Sequence, residues 1–232
     1  MIIYESDEYR DAIIASDVPV ACPITVRRTS DGTTDHTVIA PAAYIAEALA
    51  DRFADDPFTP RAASYLAKAA GDFLAPYGYR LDPEASSPIY EYTLVSAELL
   101  PELIPDDALL IFRPALDEDD PDILADYTCE VSFEPDTSEC AAVVVDDRIV
   151  CLAQINDFSE GDETEINVEC APDFRRRGYA KAACAELCRF LIENGETVSY
   201  KTYASNVASV SLARSLGFTH NATTMTAVGY LD

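Results

Sequence analysis

Between Glu165 and Leu231 the hydrophobic pattern repeatedly switches period. The β-rich runs "EINVEC" (165–170), "VSYKTY" (198–203) and "TTMTAVGYL" (223–231) bracket two stretches of helical period. In the first, Ala180, Ala183, Cys184, Leu187 and Leu191 recur at i, i+3, i+4, i+7 and i+11, one apolar stripe for a sheet to cover, and Asn194-Gly195 supplies the stop. In the second, Leu212, Ala213 and Leu216 form the stripe, Gly217 ends it, and Ser205 or Asn206 stands where a cap is needed. Strand, helix, strand, helix, strand is a plan that buries both stripes only on a sheet. The expectation is an α+β fold, a mixed sheet flanked by helices.

Upstream of these elements the pattern is mostly strand. "AAVVV" and "IVCLAQI" flank Asp146-Asp147-Arg148, which predicts a hairpin, and "YEYTLVS" and "LLIFRPA" read as two more strands. "LDEDDPDILADYTCE" reads as an acidic helical connection. Nearer the start, "CPITVRR" and "DHTVIAP" surround "TSDGTT", whose Asp31-Gly32 suits a hairpin turn. Two amphipathic helices follow, with Ile45, Leu49 and Phe53 on one stripe and Ala62, Leu66, Ala69 and Phe73 on the other. "APYGYRLDPEASSP" then reads as a linker or long loop. The division into domains is expected near residue 88, with an N-terminal α+β extension over 1–88 and the main domain over 89–232.

Composition excludes several functions. Forty-two Asp and Glu against sixteen Lys and Arg leave a net charge of −26, which repels phosphate backbones and anionic lipid headgroups. Neither nucleic acid nor membrane is expected as a partner. The same field concentrates cationic small molecules, polyamines or basic peptides, although solubility alone also accounts for it. No run approaches the eighteen apolar residues of a membrane span. The opening "MIIYESDEYRD" lacks a basic-then-apolar secretion signal, so a cytoplasmic location is expected. Seven scattered cysteines without a CxxC pair, and only His36 and His220, make free buried thiols the expectation and a metal site poorly supplied.

Against that acidity, "APDFRRRGYAKA" (171–182) sets Arg175, Arg176 and Arg177 just before Gly178. Strand, turn and helix start in this order expose unpaired N–H groups at the positive end of a helix, a cradle for phosphate. Gly178 leaves the backbone open to a ligand, and Ala180 keeps the next turn narrow. Solvated arginines at a helix start are the plainer alternative.

A second stretch, "NVASVSLARSLGF" (206–218), joins the first in resembling a known family. "VECAPDFRRRGYAKAA" is similar to the strand, Pro, Arg/Gln-x-x-Gly-x-Gly/Ala, helix pattern of the GNAT (N-acetyltransferase) superfamily, and "NVASVSLARSLGF" to its Asn-x-x-Ser helix ending in Leu-Gly-Phe. The resemblance covers roughly residues 89–232 and implies a GNAT-like, mainly antiparallel sheet.

It also implies the chemistry. The co-substrate is acetyl-CoA or a related acyl-CoA, with no metal. Its pyrophosphate is expected on the backbone of Arg175, Arg176, Arg177, Gly178, Tyr179 and Ala180. Its pantetheine arm is expected to pair like an added strand with Val168, Glu169 and Cys170, whose N–H groups polarise the thioester carbonyl. Asn206 corresponds to the family's pantetheine contact and Ser209 to a further cofactor contact, while Asn206 can equally be a helix cap.

The implied reaction transfers acetyl to a primary amine of a small molecule or peptide and needs a base for the amine. Glu165 and Glu169, on one face of a regular strand, are the candidates; solvated edge carboxylates are the alternative, and His220 is a lesser choice. The Tyr that many family members use as the acid falls at Ala213 here, which leaves Tyr200, Tyr203, Tyr230 or an unaided thiolate. Ala213 also keeps open a non-catalytic acyl-CoA-binding module whose N-terminal domain recognises a partner.

Overall fold

The computed structural model describes residues 2–4, 6–38, 43–53, 55–82, 87–101, 106–117, 121–132, 135, 138–156 and 163–231. In chain order the elements begin with strand β1 (Ile2–Tyr4), helix α1 (Asp7–Ala15), strands β2 (Val20–Thr29) and β3 (Thr34–Val38), and helices α2 (Ala43–Arg52) and α3 (Pro60–Leu74). Strands β4 (Tyr79–Asp82), β5 (Ile89–Leu94), β6 (Leu109–Arg113), β7 (Thr128–Cys129), β8 (Cys140–Val145), β9 (Arg148–Ile155) and β10 (Glu163–Cys170) follow. Helix α4 (Tyr179–Glu193), strand β11 (Thr197–Tyr203), helix α5 (Val207–Ser215) and strand β12 (Thr219–Leu231) complete the α+β chain.

The chain forms two compact units, and it crosses between them more than once. The first holds Met1–Glu91, Thr202–Val207 and His220–Asp232; the second holds Tyr92–Lys201 and Ala208–Thr219.

In the first unit, β2 and β3 form the expected hairpin, antiparallel from Ile24↔Val38 to Arg28↔Thr34. Its turn closes through Thr29 N–H to Thr33 O (3.0 Å) and through Asp31, whose carboxylate accepts from the Thr33 N–H (2.9 Å). The C-terminal strand β12 runs antiparallel to β2, from Ala222↔Thr29 to Tyr230↔Val20. Helix α3 starts on an N-cap: the Thr59 side chain accepts from Ala62 N–H. It buries Ala62, Leu66 and Ala70 against Ile24, Val26, Met225 and Ala227, and Leu74 against Ile13, Ala21 and Tyr79; Ala70 and Leu74 lie one position beyond the expected Ala69 and Phe73. Leu49 joins this core, while the Ile45 side chain lies outside the described residues.

The expected linker after α3 is partly a strand. Tyr79–Asp82 pairs with Val228–Leu231 of β12, and Gly78, at φ 88°, makes the turn into it. A Cβ on Gly229 would meet Leu74 Cδ1 at 2.6 Å, so glycine there lets β12 lie close under α3.

In the second unit the strands lie side by side in the order β11-β10-β9-β8-β6, with β7 on β9. All pairs are antiparallel except β10–β11 and β7–β9. Strand β8 is buried on both faces, as its uninterrupted apolar run requires. Its hairpin to β9 turns on Asp146 and Asp147, both left-handed (φ 49° and 59°). Helix α4 buries Tyr179, Ala182, Ala183, Cys184, Ala185, Leu187, Cys188 and Leu191, a wider stripe than the sequence spacing predicts.

The acidic connection before β7 is not a helix among its described residues. Asp122 decides this: one carboxylate oxygen accepts from the Leu124 N–H (2.8 Å) to close a turn, and the other pairs with the buried Arg113 (3.3 Å).

Candidate active site

The site is built on β10. Its Glu163, Thr164 and Glu165 pair in parallel with Thr197, Val198 and Ser199 of β11, and the pairing stops there although both strands continue. On its other side β10 stays paired with β9 through Cys170. Two bonds, Asn156 N–H to Glu165 O (2.7 Å) and Ala171 N–H to Val150 O (2.8 Å), fix the alternation of that ladder. Residues 165, 167, 169 and 171 turn their backbone groups to β9, so Ile166, Val168 and Cys170 turn theirs to the edge that β11 has left. This fork offers a strand-like ligand arm a place to pair. The Cys170 carbonyl is already taken there by Arg175 Nε (2.9 Å).

The arginine stretch follows at once. Pro172–Phe174 is a single 3-10 turn, Arg176 and Gly178 are left-handed (φ 64° and 87°), and α4 begins at Tyr179. Gly178 is the N-cap and has no side chain to cap with. The first helical bond is Ala182 N–H to Gly178 O (3.0 Å). Among the described residues the backbone N–H groups of Arg176 to Lys181 therefore have no acceptor, and a Cβ on Gly178 would meet nothing within 4 Å. Open space, bare amides and a positive helix end fit an anion. Arg177 is held back from it: its guanidinium stacks on Phe174 (5.0 Å), reaches the Asp173 carbonyl (3.3 Å) and faces Asp107 (3.9 Å). Tyr179 is buried in the core and Ala180 is half-buried. The backbone, more than the three side chains, is what remains available.

The two glutamates are both engaged. Glu165 is buried; its carboxylate accepts from Asn156 Nδ2 (2.8 Å) and pairs with Lys201 Nζ (2.8 Å). It sits at the last paired position of the fork. Glu169 spends both oxygens on Ser132, accepting from its N–H (2.7 Å) and its hydroxyl (2.9 Å), and so ties down the segment after β7.

The other face of the fork is apolar. Ile166, Cys184, Tyr200, Leu212, Ala213, Leu216 and Phe218 line a narrow crevice under α5. Ala213 is 1% exposed and lines this crevice together with the buried Tyr200. The Tyr200 hydroxyl shares a hydrogen bond with Ser209, and burial pushes its phenol up to about 12. Tyr203 and Tyr230 are 41% and 42% exposed. Asn206 is the residue just before α5, and His220 stacks edge-on with Tyr90 (5.0 Å) and bonds Thr223 (3.1 Å). Among the described residues no cluster of His, Cys, Asp or Glu suits a metal ion, and no helix is long and apolar enough to cross a membrane.

The sequence reading missed Lys201, Asn156 and Ser132. Lys201 is one of only three lysines, a usable signal, but matching it to Glu165 needs the parallel register of β10 and β11.

Residues 140–226 match the family model described as GNAT acetyltransferase. No curated protein matches the chain. Among solved structures, a protein assigned to the GNAT family from Novosphingobium aromaticivorans is similar at 21% identity, over 67% of this chain and 69% of that one, with a TM-score of 0.47. A GCN5-related N-acetyltransferase-like protein from Streptococcus suis is similar at 19% identity, over 74% and 68%, also at 0.47. At these values the structural likenesses add nothing to the family match. The stretch that matches the GNAT acetyltransferase model, residues 140–226, holds the fork, the open turn and both flanking helices.

Proposed function

We propose that the protein is an N-acyltransferase that moves an acetyl group from acetyl-CoA to a primary amine of a small molecule or peptide. The observation that carries this reading is the run of acceptor-free amides from Arg176 to Lys181 directly after a strand whose edge is open. The pyrophosphate would lie on those amides, and the pantetheine arm along Val168 and Cys170. Acetyl-CoA supplies the activated acyl group. The Val168 N–H, facing the open edge, polarises the thioester carbonyl. Asn206 and Ser209 keep the cofactor contacts that the resemblance implies, and Ser209 also steadies Tyr200.

For the amine proton we assign Glu165, buried at the point of the fork and aligned by Asn156 and Lys201. Glu169 serves as a clamp on Ser132. Tyr200 stays protonated throughout the physiological range, so its hydroxyl can donate to the departing thiolate in place of the residue missing at Ala213. The negative field of the whole chain favours cationic acceptors.

A second reading, a non-catalytic acyl-CoA-binding module with a partner-recognising N-terminal unit, draws support from the engagement of both glutamates. Thiol release from acetyl-CoA over a panel of polyamines, aminoglycoside-like amines and lysine peptides separates the two. Turnover with any amine supports the enzyme. Tight acetyl-CoA binding with no turnover across the panel selects the module, and no binding at all sinks both.

A further inference from the structure

Cys151 and Cys170 stand directly opposite each other in the β9–β10 ladder. The bond from Ala171 N–H to Val150 O (2.8 Å) makes the neighbouring pair the hydrogen-bonded one, so the cysteines occupy a non-hydrogen-bonded position. At such a position the Cα atoms of an antiparallel pair lie roughly 4.5 Å apart, within the roughly 4.4–6.8 Å that a disulfide spans. The two thiols bear on each other's titration, Cys170 lowered and Cys151 raised by the pair. Cys170 is half-buried and Cys151 fully buried, a more accessible attacker beside a protected partner.

We propose that Cys151 and Cys170 form a reversible cross-strand disulfide that weakens the anion-binding turn, making this fork peroxide-sensitive. The regulatory part of the proposal rests on the acyl-CoA reading above. The Cys170 thiolate attacks hydrogen peroxide, its sulfur taking one oxygen and hydroxide leaving, to give the sulfenic acid. The Cys151 thiol then attacks that sulfur and water leaves, so two thiols and one peroxide become one disulfide and two waters. Cys151, with Arg175 and Arg177 nearby, lowers the Cys170 thiol pKa and is itself held well above the usual thiol range. Reactive and resolving roles divide accordingly.

The link to the site is a single contact. As a thiol, Cys170 Sγ donates to the Phe174 carbonyl (3.5 Å), bracing the turn that sets Arg175 to Ala180. A disulfide sulfur has no hydrogen to donate. Oxidation therefore releases one end of that turn.

Trypsin frees residues 149–175 as one peptide containing Cys151 and Cys170 and no other cysteine. The full chain is treated with hydrogen peroxide, denatured, alkylated with N-ethylmaleimide and digested. The expected result is a peptide that has lost two hydrogens, refuses the alkylating agent and accepts it after dithiothreitol. A peptide still doubly alkylated after Cys22 and Cys129 have oxidised overturns the disulfide, as does a cross-link to the Cys184 peptide. In Cys151→Ser, dimedone should label Cys170; failure to label it overturns the assignment of roles.

After catalase removes the peroxide, acetyl-CoA binding is measured by calorimetry. The oxidised protein should bind about twofold to tenfold more weakly than the reduced protein, the reach of one hydrogen bond. Equal affinity with the disulfide formed overturns the regulatory link. No binding by the reduced protein sinks the acyl-CoA reading and leaves the disulfide result standing.

Discussion

Two neighbouring parts of one unit have opposite polar accounts. From Arg176 to Lys181 a row of backbone donors has no acceptor among the described residues. Around Glu165 and Glu169, a few residues earlier in the chain, the carboxylates are matched with Asn156, Lys201 and Ser132. Unmatched donors at a positive helix end can take an anion with no rearrangement. A carboxylate already bonded must loosen an existing partner before it takes a proton from an amine. Under the proposed function, binding is thus preorganised here, while catalysis depends on what the acceptor displaces.

The largest test of that contrast is Glu165→Gln. It should lower kcat by about 10² to 10⁴, the range of a lost proton acceptor, with acetyl-CoA affinity unchanged. A kcat within a fewfold of the parent would remove Glu165 from the chemistry and leave the open turn as the only functional half.

Next is Gly178→Asp. The left-handed φ of 87° disfavours any side chain, and a carboxylate at the helix start would occupy the anion's place. Calorimetry should register a loss of acetyl-CoA affinity of at least about a hundredfold, some 2.7 kcal/mol, in a protein with parental circular dichroism. Retained affinity would refute the assignment of the turn.

Tyr200 gives a pH test of the crevice side. Its folded-state value of about 12 lies above its ordinary value of 10.0, so the unfolded chain loses this proton first as pH rises. The contribution is fully present below about pH 10 and disappears by about pH 12, a loss of about 2 to 3 kcal/mol. Tyr200→Phe should therefore flatten the alkaline fall in denaturant midpoint over that window. An unchanged slope would mean the phenol is not held as buried as it stands.

The smallest effect belongs to Arg175→Ala. Its guanidinium bonds the Cys170 carbonyl and adds positive charge beside the amides. Affinity should fall about threefold to tenfold at low ionic strength and less near 1 M salt, where charges are screened within roughly 3 Å. Equal losses at both salts would assign Arg175 a purely structural role.

Much of this was legible beforehand. The two helical stripes, Gly178 after the arginines and the Asp146-Asp147 hairpin are local patterns, and local patterns obey periods and backbone sterics that a sequence displays directly. The strand at Tyr79–Asp82 was not legible as one, because "APYGYRLDP" carries the glycine and prolines of a loop and becomes a strand only by pairing with β12. The acidic stretch before β7 reads as helical in the sequence, since nothing local shows that Asp122 will be captured by an arginine on β6.

The sequence by itself determined the α+β class, the strand–turn–helix that leaves amides bare, and the absence of a tyrosine at Ala213. Each follows from residue type and spacing along a few turns of chain. Only the tertiary structure decided that β10 and β11 part after Glu165, that Lys201 meets that carboxylate, that Cys151 faces Cys170 and that β12 belongs with the first unit. These depend on register between segments far apart in sequence. Register is set by the collective burial of whole strand faces, which no short stretch encodes.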